Sequence, residues 1–261
     1  MCFDAGSRPP LPPIAGSALD AGDILLTSAD GTDFAGYAAR ASSPGGPGIF
    51  ILPDVRGLQP YYEELALQFA DAGVHAVAVD LYARTAGAEK RGEGFEHEEH
   101  VRATHPHALA ADVGAAAAYL RSTAGGDAQR VYTIGFCFGG RVSFLQAAEG
   151  HGLNGVIGFY GWPVGPHRTG VPAPAEMAQR FDCPVLALYG GADAGIPPEA
   201  IAAFDDALAH AGVSHESIVH DDAPHSFFDR KQSEYAEASN DAWRRVLQFV
   251  GIRSEGETLD A

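Results

Sequence analysis

The sequence predicts an α/β fold, a mostly parallel central sheet with helices on both faces, and three observations carry that prediction. Short apolar runs without polar alternation recur along the 261 residues, as strands buried on both faces require. Stretches of helical period or high alanine content separate them, which is what parallel strands need for their crossovers. A glycine-flanked cysteine, Gly135-Phe136-Cys137-Phe138-Gly139, stands where one apolar run passes into one such stretch.

In chain order, residues 1–22 read as an N-terminal arm. Pro9, Pro10, Pro12 and Pro13 favour an extended arm lying on the surface. Regular structure begins near Asp23, and residues 23–251 read as one domain, followed by a tail over 252–261. Ile24–Thr27 and Asp33–Ala39 flank the turn Ser28-Ala29-Asp30-Gly31-Thr32, a hairpin signature. Gly48–Leu52, Ala76–Val79, Val131–Ile134, Val156–Tyr160 and Val185–Tyr189 are the buried strands, and His215–His220 is a last short one. Helices are predicted over Tyr62–Ala72, Leu109–Ser122, from Gly140 onward, Pro198–Ala211 and Tyr235–Phe249. Thr85–His107 and Trp162–Arg180 resist assignment. Both follow strand ends, where open parallel sheets bind ligands, so both are candidate pocket walls.

Composition narrows the function. With 46% hydrophobic and 20% charged residues the chain has the make-up of a soluble globular protein. No apolar run is long enough to span a bilayer, and Met1-Cys2-Phe3-Asp4 lacks a signal-peptide layout, so a cytoplasmic location and no membrane partner are expected. The three cysteines, Cys2, Cys137 and Cys183, form no C-x-x-C pair, and neither a disulfide framework nor structural zinc is indicated. His97 and His100 are spaced H-x-x-H rather than H-E-x-x-H, so a polar flap is read there and no metal. Seventeen Lys plus Arg against 34 Asp plus Glu give a net charge of −17, which repels nucleic acid. An anionic substrate would need a local cluster of arginines. Neither a monomer nor a homodimer is selected by the sequence.

Gly135-Phe136-Cys137-Phe138-Gly139 reads as a nucleophile elbow, in which a strand turns sharply into a helix and glycines avoid collision with neighbouring backbone. Cysteine replaces serine there. A thiol nucleophile needs a base and a group that orients the base. Asp193, in the loop Tyr189-Gly190-Gly191-Ala192-Asp193, and His225, in Asp222-Ala223-Pro224-His225-Ser226-Phe227, follow in the order nucleophile, acid, histidine. Arg141, beside the elbow, reads as a helix residue satisfying local carbonyls or acids, and Tyr160 and Trp162 as pocket lining or core.

These motifs, together with Pro53-Asp54-Val55-Arg56-Gly57, Asp80-Leu81-Tyr82-Ala83-Arg84 and Phe159-Tyr160-Gly161, resemble the dienelactone hydrolase family, a cysteine branch of the α/β-hydrolases. The resemblance implies hydrolysis of an ester or lactone through a thioester on Cys137, with no metal or organic cofactor. It implies an oxyanion hole from the backbone N–H groups of Val55 and Phe138. It places Asp54 where the family has a glutamate that holds the thiol proton, and makes Arg84 the partner of a substrate carboxylate. Tyr82, Tyr160, Trp162 and Arg230 join the substrate-binding set. At the family's second carboxylate-binding arginine this chain has Asp229, expected at the pocket rim, where it would weaken binding of small dianionic lactones and point to a different ester. A glutamine amidotransferase would need His-x-Glu, but Ser226 and Phe227 follow His225. A redox-sensing or purely binding protein is the remaining alternative.

Overall fold

The computed structural model describes residues 3–4, 6–11, 14 and 20–252. Among them, eight strands form one sheet in the order β1-β2-β4-β3-β5-β6-β7-β8. These are β1 (Asp20–Thr27), β2 (Asp33–Arg40), β3 (Pro47–Leu52), β4 (His75–Val79), β5 (Arg130–Phe136), β6 (Gly155–Phe159), β7 (Val185–Gly190) and β8 (His215–His220). β1, β2 and β4 pair antiparallel, and every pair from β4 through β3 to β8 is parallel.

Every residue of β3, β4, β6 and β7 is buried. Successive strand side chains point to opposite faces, so uninterrupted burial means that both faces are covered. The covering elements are α1 (Pro60–Asp71), α2 (Ala83–Ala86), α3 (His97–Arg102), α4 (Pro106–Arg121), α5 (Phe138–Gln146), α6 (Pro174–Met177), α7 (Pro198–Ala211) and α8 (Ala236–Phe249). α1 packs on β2, β3 and β4, α5 on β3, β5 and β6, and α8 on β7. β8 closes one edge with only partial burial. No helix among the described residues is long and apolar enough to cross a membrane.

The unassigned segment Thr85–His107 begins within α2 and contains α3, helices of four and six residues. Helices that short do not complete a readable hydrophobic period. The stretch 162–173 is irregular backbone followed by α6.

The arm departs from expectation. Its described part does not lie wholly on the surface: Phe3, Ser7 and Leu11 are buried, while Asp4 and Gly6 between them are exposed. Phe3 stacks on Tyr61 with ring centroids 4.1 Å apart and reaches Phe136 and Tyr160 at 6.1 and 6.3 Å. Ser7 Oγ and the Arg8 N–H donate to the Asp229 carboxylate at 2.6 and 3.2 Å. The Arg230 N–H returns a bond to the Arg8 carbonyl at 2.8 Å. Burial of an aromatic ring, with polar groups satisfied on either side, outweighs the solubility of the proline-rich segment.

Phe3→Ala should lower unfolding free energy by on the order of 3 kcal/mol, the usual loss for a buried aromatic ring, with Asp4→Ala as exposed control. Urea denaturation that gives equal midpoints for both variants would show the arm to be peripheral.

Candidate active site

The turn from β5 into α5 brings the thiol out of the sheet. Cys137 adopts φ 55° and ψ −113°, a region L-residues avoid. Its N–H donates to the Phe159 carbonyl at 3.0 Å and its carbonyl accepts from the Arg141 N–H at 3.2 Å. A Cβ on Gly139 would overlap the carbonyl oxygens of Leu52 and Pro53, and one on Gly140 would stand 2.7 Å from that of Phe159. The glycines therefore let the turn lie against both neighbouring loops. Among the described residues, non-glycine positive φ occurs at Asp127, Cys137, Tyr160 and Ser226. Three of these, Cys137, Tyr160 and Ser226, follow the carboxyl ends of β5, β6 and β8, where strain of about 1–3 kcal/mol each is held by surrounding packing.

Cys137 opens into a cavity of about 200 Å³ lined by Val55, Phe138, Tyr160, Trp162 and His225 among others. All lie beyond the carboxyl ends of β3, β5, β6 and β8. His225 Nδ1 is 2.6 Å from Asp193 Oδ2, so Nδ1 carries the hydrogen and Nε2 is left as the basic nitrogen. Asp193 Oδ1 accepts from the Gly195 N–H at 2.9 Å. Burial tends to raise the Asp193 carboxyl, but the hydrogen bond and charge of His225 outweigh it and hold the group below its ordinary value. The Tyr160 ring packs 4.8 Å from the His225 ring.

Asp54 is buried beside this cavity but is occupied by Arg56. Its Oδ1 accepts from the Arg56 N–H and Nε at 2.8 and 3.3 Å, and its Oδ2 from Nη2 at 2.9 Å. The Asp54 N–H donates to Tyr62 Oη at 2.9 Å. Tyr82 is also buried and does not line the catalytic cavity. Its hydroxyl donates to the Val55 carbonyl at 2.7 Å, so it holds the loop that carries Val55.

The structure does not bring the other expected arginines to the cavity. Arg84 makes a bidentate pair with Asp112 at 2.7 and 2.9 Å and reaches Asp30 at 2.9 Å. It lines a separate cavity with Tyr82, Thr85 and His100. Two carboxylates already satisfy it, which removes the reason to assign it a substrate. Arg230 contacts Glu64 and the Leu11 carbonyl at 2.5 and 2.9 Å. Asp229, expected at the pocket rim, is buried and holds the N-terminal arm, so its effect on an anionic substrate is not the one the resemblance implied.

Four contributors were not singled out as pocket residues in the sequence. Arg56 stands two positions after Asp54, a spacing that could have suggested the clamp. Arg141 is buried and donates to the carbonyls of Trp162, Val164, Gly165 and Val171 at 2.8–3.4 Å. It thus secures the irregular wall, as its reading as a donor to local carbonyls anticipated. His167 and Arg168 come from that wall. His167 stacks on Phe138 at 5.3 Å, and burial, reinforced by Arg141 and Arg168, pushes its ring down to about 4. Cys183 is buried, and burial together with Asp182 pushes its thiol up to about 12. Cys2 lies outside the described residues.

A mostly parallel sheet with a strained elbow between β5 and α5, and a cavity at the strand ends, is the arrangement of an α/β-hydrolase. The model of the dienelactone hydrolase family matches residues 34–253. A candidate carboxymethylenebutenolidase of Salmonella typhimurium is 32% identical over 89% of this chain and 87% of its own length. The carboxymethylenebutenolidase of Rhodococcus opacus is 29% identical over 95% of this chain and 96% of its own. The crystal structure of a candidate dienelactone hydrolase from Klebsiella pneumoniae superposes with a TM-score of 0.78 at 28% identity, over 91% of this chain and 100% of that one. This chain belongs to the dienelactone hydrolase family, and is a hydrolase of the carboxylic ester kind.

Asp193 has a folded pKa below its unfolded value of about 3.9. The stability this gives is therefore present above that value and is lost as pH falls through the lower, folded one. Asp193→Asn should consequently lose stability less steeply than the native protein as pH falls from about 5 to about 3, through and below the ordinary carboxylate range. Urea midpoints that stay a constant distance apart across that range would contradict the assignment.

Proposed function

We propose that the protein hydrolyses an ester or lactone through a Cys137 thioester, with His225 as the base and Asp193 as its orienting acid. The observation that carries this reading is the 2.6 Å contact between His225 Nδ1 and Asp193 Oδ2 at the mouth of the cavity that Cys137 opens into. His225 Nε2 takes the thiol proton, and the sulfur adds to the substrate carbonyl carbon. The charge on the carbonyl oxygen is received by the N–H groups of Val55 and Phe138, worth about 3–4 kcal/mol per donor in such sites. The C–O bond then breaks, and the leaving oxygen takes the proton from His225. Water, deprotonated by His225, adds to the thioester carbon, the C–S bond breaks, the departing Cys137 sulfur takes the proton back from His225, and the acid departs.

Two features support cysteine as the nucleophile. The thiol sits at the N-terminus of α5, where the helix dipole favours a thiolate. The lining is mostly apolar, which strengthens interactions with the developing charge. The proton is assigned to His225 rather than to Asp54 because Arg56 engages both Asp54 oxygens. Asp54 then acts on the loop that bears Val55, through its own N–H bond to Tyr62.

With 4-nitrophenyl acetate, Cys137→Ala and His225→Ala should lose at least about 10³-fold in kcat/KM and Asp193→Asn about 10⁴-fold in kcat, by analogy with other triads. Asp54→Asn should cost less than Asp193→Asn. Acid-quenched native protein should carry an acetyl group on Cys137 by mass spectrometry. Retention of full activity by Cys137→Ala would rule out the thioester route.

A further inference from the structure

His225 lies between β8 and α8, on backbone that belongs to neither. The sheet ladder therefore does not fix its position. The backbone that follows it is gripped by the N-terminal arm, which precedes the residues matched by the family model.

One grip is polar. Asp229, further along the His225 loop, is buried. Its Oδ2 accepts from Ser7 Oγ at 2.6 Å, and its Oδ1 from the N–H groups of Arg8 and Lys231 at 3.2 and 3.1 Å. The neighbouring Arg230 donates its N–H to the Arg8 carbonyl at 2.8 Å and its Nη2 to the Leu11 carbonyl at 2.9 Å. A buried carboxylate that loses its donors is costly and turns toward water. The arm thus supplies what keeps Asp229, and the turn that carries it, inside.

The other grip is aromatic. The Tyr160 ring packs 4.8 Å from that of His225. Its backbone is strained at φ 40°, and its buried hydroxyl takes no hydrogen-bond partner among the described residues. Packing alone holds the ring. The neighbours are Phe136 and Phe3, each at 6.3 Å, and Phe159 and Phe227, each at 5.7 Å. Three of these come from the sheet strands and the His225 loop itself, whereas Phe3 comes from the arm. Phe3 also stacks on Tyr61 at 4.1 Å, and Tyr61 Oη donates to the Phe228 carbonyl at 2.6 Å. One arm side chain therefore touches both the ring beside His225 and the tyrosine that ties down the backbone after it.

We propose that the N-terminal arm positions the base: Phe3, through Tyr160 and Tyr61, and Ser7, through Asp229, hold the His225 loop in the place where its imidazole meets Cys137. Phe3 and Ser7 are positioning residues, acting at a distance from the reacting atoms. The proposal rests on the reading of His225 as the base for Cys137. Displacement of the arm would leave thiol, histidine and aspartate all present and their alignment lost.

The test follows alkylation of Cys137, in which its thiolate displaces iodide from iodoacetamide, as a function of pH, with the adduct quantified by peptide mass spectrometry. Native protein, Phe3→Ala, Phe3→Leu, Ser7→Ala, His225→Ala and the double variant Phe3→Ala/His225→Ala are compared. A histidine held beside the thiol favours the thiolate and places the inflection of the rate below the ordinary thiol value of about 8.5. In Phe3→Ala the inflection should move up toward that value, and the rate at pH 7 should fall about ten-fold, within what small misplacements cost. Ser7→Ala should move it in the same direction by less, and Phe3→Leu, which keeps an apolar side chain, should stay close to native. In the His225→Ala background Phe3→Ala should add nothing, because both changes remove one interaction. An unmoved inflection in Phe3→Ala, or effects of Phe3→Ala and His225→Ala that simply add, overturns the proposal.

Hydrogen exchange read by mass spectrometry separates this outcome from that of the base assignment. Peptides spanning 225–231 should exchange at least about ten-fold faster in Phe3→Ala and Ser7→Ala, with those of β3 and β5 unchanged, as local loosening requires. Unchanged exchange at 225–231 likewise overturns the proposal. If exchange rises there while His225→Ala leaves the alkylation inflection in place, the reading of His225 as base fails and the hold of the arm on its loop stands.

Discussion

The backbone of Gly139 and Gly140 lies directly against the carbonyls of Leu52, Pro53 and Phe159, and that close approach governs the catalytic end. It joins three loops that have no covalent reason to meet. The loop after β3 brings Val55, the turn after β5 brings Cys137 and Phe138, and the strand end of β6 leads into Tyr160 and Trp162. A side chain at either glycine would push the elbow away from the loops after β3 and β6, and in the proposed mechanism displacements of about 1 Å can cost on the order of 10²-fold in rate. Positive φ at Cys137, Tyr160 and Ser226 is the local strain that accompanies this arrangement.

What holds the strain is an aromatic block under the site. Phe136 stacks on Phe159 at 4.9 Å, Phe159 meets Phe228 at 5.0 Å, and Tyr61 meets Tyr62 at 5.0 Å. The hydroxyls of this block are placed as well as its rings. Tyr61 Oη donates to the Phe228 carbonyl at 2.6 Å, and Tyr62 Oη accepts from the Asp54 N–H. The loops bearing Val55 and His225 are thus tied to one helix, α1, through two adjacent tyrosines. Phe3 completes the block from a distant part of the chain. Aromatic rings give large buried area at defined geometry, which suits a site that must keep its shape when empty.

Legibility in the sequence followed burial. β3, β7 and residues 76–79 of β4 are apolar because both faces of these strands are covered, and such runs show themselves without an alignment. The elbow was legible because steric exclusion at Gly135 and Gly139 leaves a pattern, and Asp193 and His225 because each follows a strand in a set order. Partners chosen by tertiary contact were not. Arg84 is taken by Asp30, in the β1–β2 turn, and Asp112, on α4, and nothing local to Arg84 announces either. Ser7 and Asp229 are 222 positions apart, so prolines that suggested a surface arm gave no sign of its anchor. Arg168 belongs to the same case: whether an arginine binds a protein carboxylate or nothing depends on what the fold brings near it.

The sheet order also imposes a sequence in time. Cys137 and the proposed oxyanion donors, Val55 and Phe138, lie beside β3 and β5, the centre of the sheet, whereas His225, the proposed base, comes after β8, the edge strand. Contacts between distant segments form late because loop closure opposes them. A partly folded chain can therefore display the thiol before it has the base that activates it. In the proposed mechanism the thiol therefore gains its base only when β8, the edge strand, is in place.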